Sequence, residues 1–189
     1  MFQEKIENAL SKLLGQPVRI ERFKLSPFSG SLEITGLRIG EMLQIRHVSG
    51  SLSMSRALAK EIAIKSMTIE GVNLRLTSAD MNRWKVSPPS GKEHWSVTAE
   101  SIKLSDLSVH LPDRELSFEN ISGELRQAEE DVHFEFDLGA IRRKDQQINQ
   151  GPVHGTGSFS DVPDLTEIIY SRLQMGLQLD VDIWKILGL

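Results

Sequence analysis

Apolar residues open the chain at Phe2, Ile6, Leu10, Leu13 and Leu14, at helical spacings with charged residues between them. That period puts one apolar stripe on a helix. Gly15 supplies a stop and Pro17 cannot continue the turn, so the spacing predicts a capping helix over 1–15. A short one-sided helix also suits a membrane surface. Here the polar side carries Glu4 and Glu7 as well as Lys5 and Lys12, which favours the cap. From residue 17 the apolar period becomes two, the strand period. Residues 32–39 (LEITGLRI), 67–74 (MTIEGVNL) and 102–109 (IKLSDLSV) are three copies of one unit, with starts 35 residues apart.

Inside each copy the apolar residues alternate, but one step is three rather than two: Ile34 to Leu37, Ile69 to Val72 and Leu104 to Leu107. A strand keeps its face across such a step only if one residue is absorbed. A β-bulge does this, and Gly or Asp tolerates the left-handed backbone it needs. Bulges are therefore expected at Gly36, Gly71 and Asp106. A strand break with a short loop is the plainer alternative. A second repeat, 43–52 (LQIRHVSGSL) and 116–125 (LSFENISGEL), follows the first across short turns at Gly40-Glu41 and Pro112-Asp113. Hairpins of an antiparallel meander fit this order. Glu33, Thr35, Arg38, Thr68, Glu70, Asn73, Arg75, Lys103 and Ser105 alternate with the apolar set, giving one wet face and one apolar face.

The rest of the chain fills in around these strands. Ser55–Glu61 reads as one or two helical turns, 78–92 as a Pro- and Gly-containing loop, and 142–155 as a polar loop or hairpin tip. Asp164 to Glu167 resembles a capping box, predicting a helix over 164–174. Leu177, Leu179, Val181 and Ile183 then alternate as a last strand. The expected fold is mainly β with a few short helices: a curved antiparallel β-meander or groove, capped by the N-terminal helix. All of 1–189 forms one elongated module, with the capping helix at 1–15, the repeated strands at 17–160, and a helix plus terminal strand at 164–189.

Composition narrows the function. A net charge of −4 leaves no broad cationic field, so no nucleic-acid partner is expected. Without cysteine there is no disulfide, zinc-thiolate site or thiol nucleophile. No run of about 18 apolar residues is present, and the opening segment lacks a signal-peptide pattern. His47, His94, His110, His133 and His154 are scattered without ligand spacing. The sequence contains no nucleophile elbow and no P-loop. Gly151, Gly155 and Gly157 lie away from any strand-to-helix turn, Glu129, Glu130 and Asp131 read as a turn, and Trp84, Trp95 and Trp184 are isolated. The expectation is a non-enzymatic protein with no metal and no cofactor. A hydrolase using dispersed carboxylates is the catalytic alternative.

Residues 14–20 (LGQPVRI) and 23–39 (FKLSPFSGSLEITGLRI) carry a family resemblance. So do 63–76 (AIKSMTIEGVNLRL) followed by Asn82, Arg83 and Trp84, with Gly71 and Val72 standing where the family usually has a proline. Together they resemble the N-terminal region of the AsmA-like family of bacterial envelope proteins. The helix-to-strand entry is also similar to the chorein-type start of bridge-like lipid transfer proteins. The resemblance covers about residues 5–85 and implies a U-shaped β-groove whose apolar inner face carries lipid acyl chains in envelope lipid transfer or outer-membrane maintenance. It further implies the bacterial periplasm, an inner-membrane tether in a segment preceding this chain, and a phospholipid or other acyl-chain lipid as partner. On this reading the chain is an N-terminal fragment or a short member, and further β-modules or a partner could join at its C-terminal sheet edge. The groove would be lined by Leu32, Ile34, Leu37, Ile39, Ile69, Val72, Leu74, Ile102, Leu104, Leu107 and Val109. Which side of each bulge faces the groove is open at this point. The alternative function is a structural or scaffolding β-sheet domain with a closed core and no lipid ligand.

Overall fold

A computed structural model describes residues 2–14, 16–53, 61–77, 96–128, 131–144, 146–159 and 176–179. The expected helix is α1 (Phe2–Leu14), with Glu4 in its first turn. A negative charge there complements the helix dipole. The strands are β1 (Val18–Leu25), β2 (Ser31–Ile39), β3 (Leu43–Ser53), β4 (Glu61–Arg75), β5 (Ser96–Ala99), β6 (Ser101–Leu111), β7 (Leu116–Ala128), β8 (Asp131–Arg143), β9 (Gln146–Gln147), β10 (Val153–Phe159) and β11 (Gly176–Leu179). They form one open sheet in the order β1-β2-β3-β4-β6-β7-β8-β10-β11, with β5 on β4 and β9 on β8. The architecture is mainly β, as the alternation requires.

Two pairings, both on β4, depart from the expected meander. β4 and β6 run parallel, as do β4 and β5, and every other neighbouring pair is antiparallel. Parallel neighbours need a crossover of a dozen residues or more. Twenty residues separate β4 from β5, and β5 begins beside the start of β4, where Glu61 pairs with Ser96. The 35-residue repeat is this register: Met67 pairs with Ile102, Ile69 with Leu104 and Val72 with Leu107. Across β3 the first copy falls into the same line, since Ile34 pairs with Val48 and Val48 with Ile69.

The three expected bulge positions are all left-handed, with φ of 66° at Gly36, 65° at Gly71 and 55° at Asp106, and Asn120 in β7 joins them at 57°. Yet the pairing does not slip at Gly36 or Gly71. Ile20 pairs with Leu37 and Arg22 with Thr35; Ile45 pairs with Val72 and His47 with Glu70. The reason is that the neighbouring strands also carry an extra residue there, in Ile20 to Phe23 and Ile45 to Val48, while β7 and β8 carry one a row further on, in Phe118 to Ile121 and Leu138 to Ile141. The surplus residues form a transverse line, Glu21, Gly36, Arg46, Gly71 and Asp106 across β1 to β6, and the line steps on by one row to Asn120 and Gly139 in β7 and β8. A bulge in one strand bends it against its partner. An extra residue in each strand keeps the register within β1 to β6 and between β7 and β8, and preserves the apolar face on both sides. Only β6 on β7 shows irregular pairing around the line.

The substantial contacts among the described elements run between sheet neighbours, between α1 and β1, and between β7 and the 3-10 turn at Pro112–Arg114. No second layer covers the sheet among them. A dry cluster exists at one corner, where Leu116, Leu138, Ile141 and Val153 are buried with Leu111, Phe118 and Ile121 against them. There the expected loop at 142–155 is shorter, because Arg142 and Arg143 belong to β8 and Val153 to Gly155 to β10. Buried Asn149 holds the turn, its Oδ1 accepting from the Ile141 N–H at 2.8 Å and its Nδ2 donating to the carbonyls of Gly139 and Gly151. Glu61, placed by sequence in helical turns, is the first residue of β4. The 54–60 part of those turns, the 78–92 loop, the 164–174 helix, and Val181 and Ile183 lie outside the described residues.

Candidate functional site

Cross-strand register converts the apolar alternation into four continuous rows. One runs Phe23, Ile34, Val48, Ile69, Leu104, Gly123, Phe136 and Gly155 from β1 to β10. The next row runs Ile20, Leu37, Ile45, Val72, Leu107, Ile121, Leu138 and Val153, beyond the surplus line in β1 to β6 and before it in β7 and β8. Beyond these lie a row through Leu32, Met67 and Ile102 and a row through Ile39, Leu74 and Val109. All eleven lining candidates fall in the four rows. Of them Val72 is buried and the other ten are partly exposed.

Sequence reasoning missed the contributions of β1, β3, β7 and β8 to these rows. The signal was available, since each of those strands carries the same step of three. Two glycines within the rows have a separate role. A Cβ on Gly50 would sit 2.6 Å from the Ser66 carbonyl oxygen, and one on Gly123 would sit 2.5 Å from that of Glu135. The neighbouring backbone closes in where no side chain intervenes, at matching positions of the second repeat.

The opposite face is polar and laced with ion pairs. Lys24 meets Glu33 at 2.9 Å, Arg38 meets Glu21 at 3.3 Å, and Arg142 meets Glu119 at 2.9 Å. Arg46 in β3 reaches across β4 to Asp106 in β6 at 3.2 Å, over Gly71, where there is no side chain in its way. Such exposed pairs contribute at most about 1 kcal/mol each. Glu33 is held below the usual carboxylate range, first by its hydrogen bond from Lys24 and with smaller help from His47 and Arg22. Arg22 and His47 therefore share the polar face with Glu33, as an absorbed residue requires.

The dispersed chemistry stays dispersed. His47, His110, His133 and His154 sit on β3, β6, β8 and β10, and His154 Nδ1 lies 3.0 Å from Asp137. His94 and all three tryptophans fall outside the described residues. Among the described residues no group of three His, Cys, Asp or Glu could hold a metal, and no helix is long and apolar enough to cross a membrane. One carboxylate pair is set face to face, Glu124 opposite Glu135. Hydrogen bonds from Arg126 at 2.6 Å and Ser101 at 2.9 Å pull Glu124 down to about 2. A carboxyl group held that low is a poor proton donor near neutrality.

The largest continuous feature is therefore the apolar face itself. No protein-family model matches the sequence, and no curated protein matches it either, so the resemblance to AsmA-like proteins rests on the motifs themselves.

Proposed function

We propose that this protein is a lipid-binding β-groove module of the AsmA-like type, carrying acyl chains on its apolar sheet face within envelope lipid transfer or outer-membrane maintenance. The observation that carries this reading is a face of four apolar rows with no second layer over it among the described elements. A sheet face of this kind has to be covered by something in water. Acyl chains meet the need without directed bonds, and their headgroups remain in solvent. The partly exposed state of ten of the eleven candidate positions supports the same view. The reading brings the periplasm and an inner-membrane tether with it through the family motifs.

The test is extraction of the purified protein into organic solvent followed by lipid mass spectrometry, paired with small-angle scattering. Co-purifying phospholipid and a radius of gyration distinctly above about 16 Å, the compact value for 189 residues, are expected. No lipid together with a radius at the compact value would sink the proposal. That outcome would favour a scaffolding sheet with a closed core, for which the dry cluster at Leu116, Leu138, Ile141 and Val153 is the supporting observation.

A further inference from the structure

The polar face holds a second feature, at the end of the sheet where β4 and β6 finish. A depression of about 660 Å³ lies there. Register aligns Arg75 with His110, His110 with Ser117, and Ser117 with Arg142 across four adjacent strands. All four residues line the depression, and so do Asn73, Lys144 and the carboxylate Glu115.

What marks this cluster is that several of its donors are unspent. Here the side chains of Asn73, Arg75 and His110 make no hydrogen bond or ion pair with a described residue, and His110 lies near enough to Glu119 to help hold its carboxyl low. Arg142 uses its Nε on Glu119, which leaves both terminal nitrogens for another acceptor. Lys144 is paired with Glu115 at 3.1 Å. Two guanidinium groups thus flank an imidazole, with an amide alongside, while the Ser117 hydroxyl donates to Glu119 at 3.1 Å. Planar forks of donors facing one another match the tetrahedral oxygens of a phosphate.

We propose that Asn73, Arg75, His110 and Arg142 form a binding site for a phosphate oxyanion, free or in a lipid headgroup. The depression also meets Leu111, Pro112 and Leu116 where the strands end, so a headgroup held there lies beside the rim of the apolar rows. The site does not depend on the lipid reading, because phosphate alone occupies it.

The experiment is a ¹⁵N NMR titration of the full chain at fixed ionic strength, first with inorganic phosphate and then with dihexanoylphosphatidic acid. Saturable shifts at the amides of Asn73, Arg75, His110 and Ser117 are expected, and Arg75→Gln is expected to weaken them at least tenfold. Arg75 is exposed and its side chain has no described partner, so the variant should fold normally. Tighter binding of the short-chain lipid, with added shifts at Leu74 and Val109, identifies the headgroup as the source. Equal binding identifies the free anion. Linear drift with both ligands, or unchanged titration of Arg75→Gln, overturns the site and leaves the groove proposal standing.

Discussion

Left-handed backbone at Gly36, Gly71, Asp106 and Asn120 marks where seven strands each absorb one residue. Gly71 has two reasons to be glycine, its φ of 65° and the Arg46 side chain, which would lie 2.8 Å from a Cβ. Gly71→Ala should therefore lose about 1–3 kcal/mol, read as a lower urea midpoint. Asp106→Gly removes the strain of a non-glycine at φ 55° and loses only an exposed ion pair. It should unfold no earlier than the parent, and a drop beyond 1 kcal/mol would contradict the argument. Glu124 gives a pH dependence. Its folded carboxyl sits at about 2, below the unfolded value of 4.5, so its contribution is present above about 4.5 and fades as the pH falls toward 2. Glu124→Gln should accordingly destabilise at pH 7 and much less at pH 3, a difference that paired denaturant titrations would detect. At this scale the step of three was legible in sequence, because it survives as a misfit in an otherwise strict period. Asn149 was not, since it sits in a polar stretch with no period and its three hydrogen bonds depend on how β8 and β10 meet.

At the scale of elements, α1 does more than cover one end of the sheet. Gln3, Glu7 and Ser11 follow one another at helical spacing along one stripe. Glu7 accepts from the Ile20 N–H at 2.7 Å, Ser11 accepts from the Val18 N–H at 2.8 Å, and Gln3 donates to the Ile20 carbonyl. These side chains occupy backbone groups that an edge strand otherwise offers to another strand. Replacing Glu7 and Ser11 together by alanine should expose that edge and produce concentration-dependent self-association in sedimentation velocity. A variant that remains monomeric at high concentration would show that the edge is protected by other means, such as the charges on β1 itself. The helix was legible from its apolar stripe. The use of its polar stripe was not, because helical spacing does not say which strand lies alongside. Nor could alternation distinguish parallel from antiparallel pairing of β4 and β6, since both directions present the same faces.

For the whole molecule, the single layer predicts a division of labour among apolar residues. Ile141 is fully buried in the dry cluster, whereas Leu104 is partly exposed in the middle of the open rows. Ile141→Ala should cost about 2–5 kcal/mol, as core truncations do. Leu104→Asn should cost distinctly less in lipid-free protein and should reduce the lipid recovered with it. Equal destabilisation by both, measured by thermal unfolding of delipidated samples, would mean the rows are an ordinary core. Charge is also unevenly spread. Residues 1–75 carry eleven Lys and Arg against seven Asp and Glu, while 76–189 carry eleven against nineteen. An anionic surface would therefore attract the β1 to β4 half and repel the other.

The surplus line constrains how such a sheet can lengthen. A strand of ordinary period laid against this edge would match the rows on one side of the line and be out of phase on the other, turning half its apolar residues outward. A copied strand carries its own surplus residue and stays in phase throughout. Growth by duplication is then the route that keeps the face whole, and the 35-residue step is the size of the piece that can be copied without a seam.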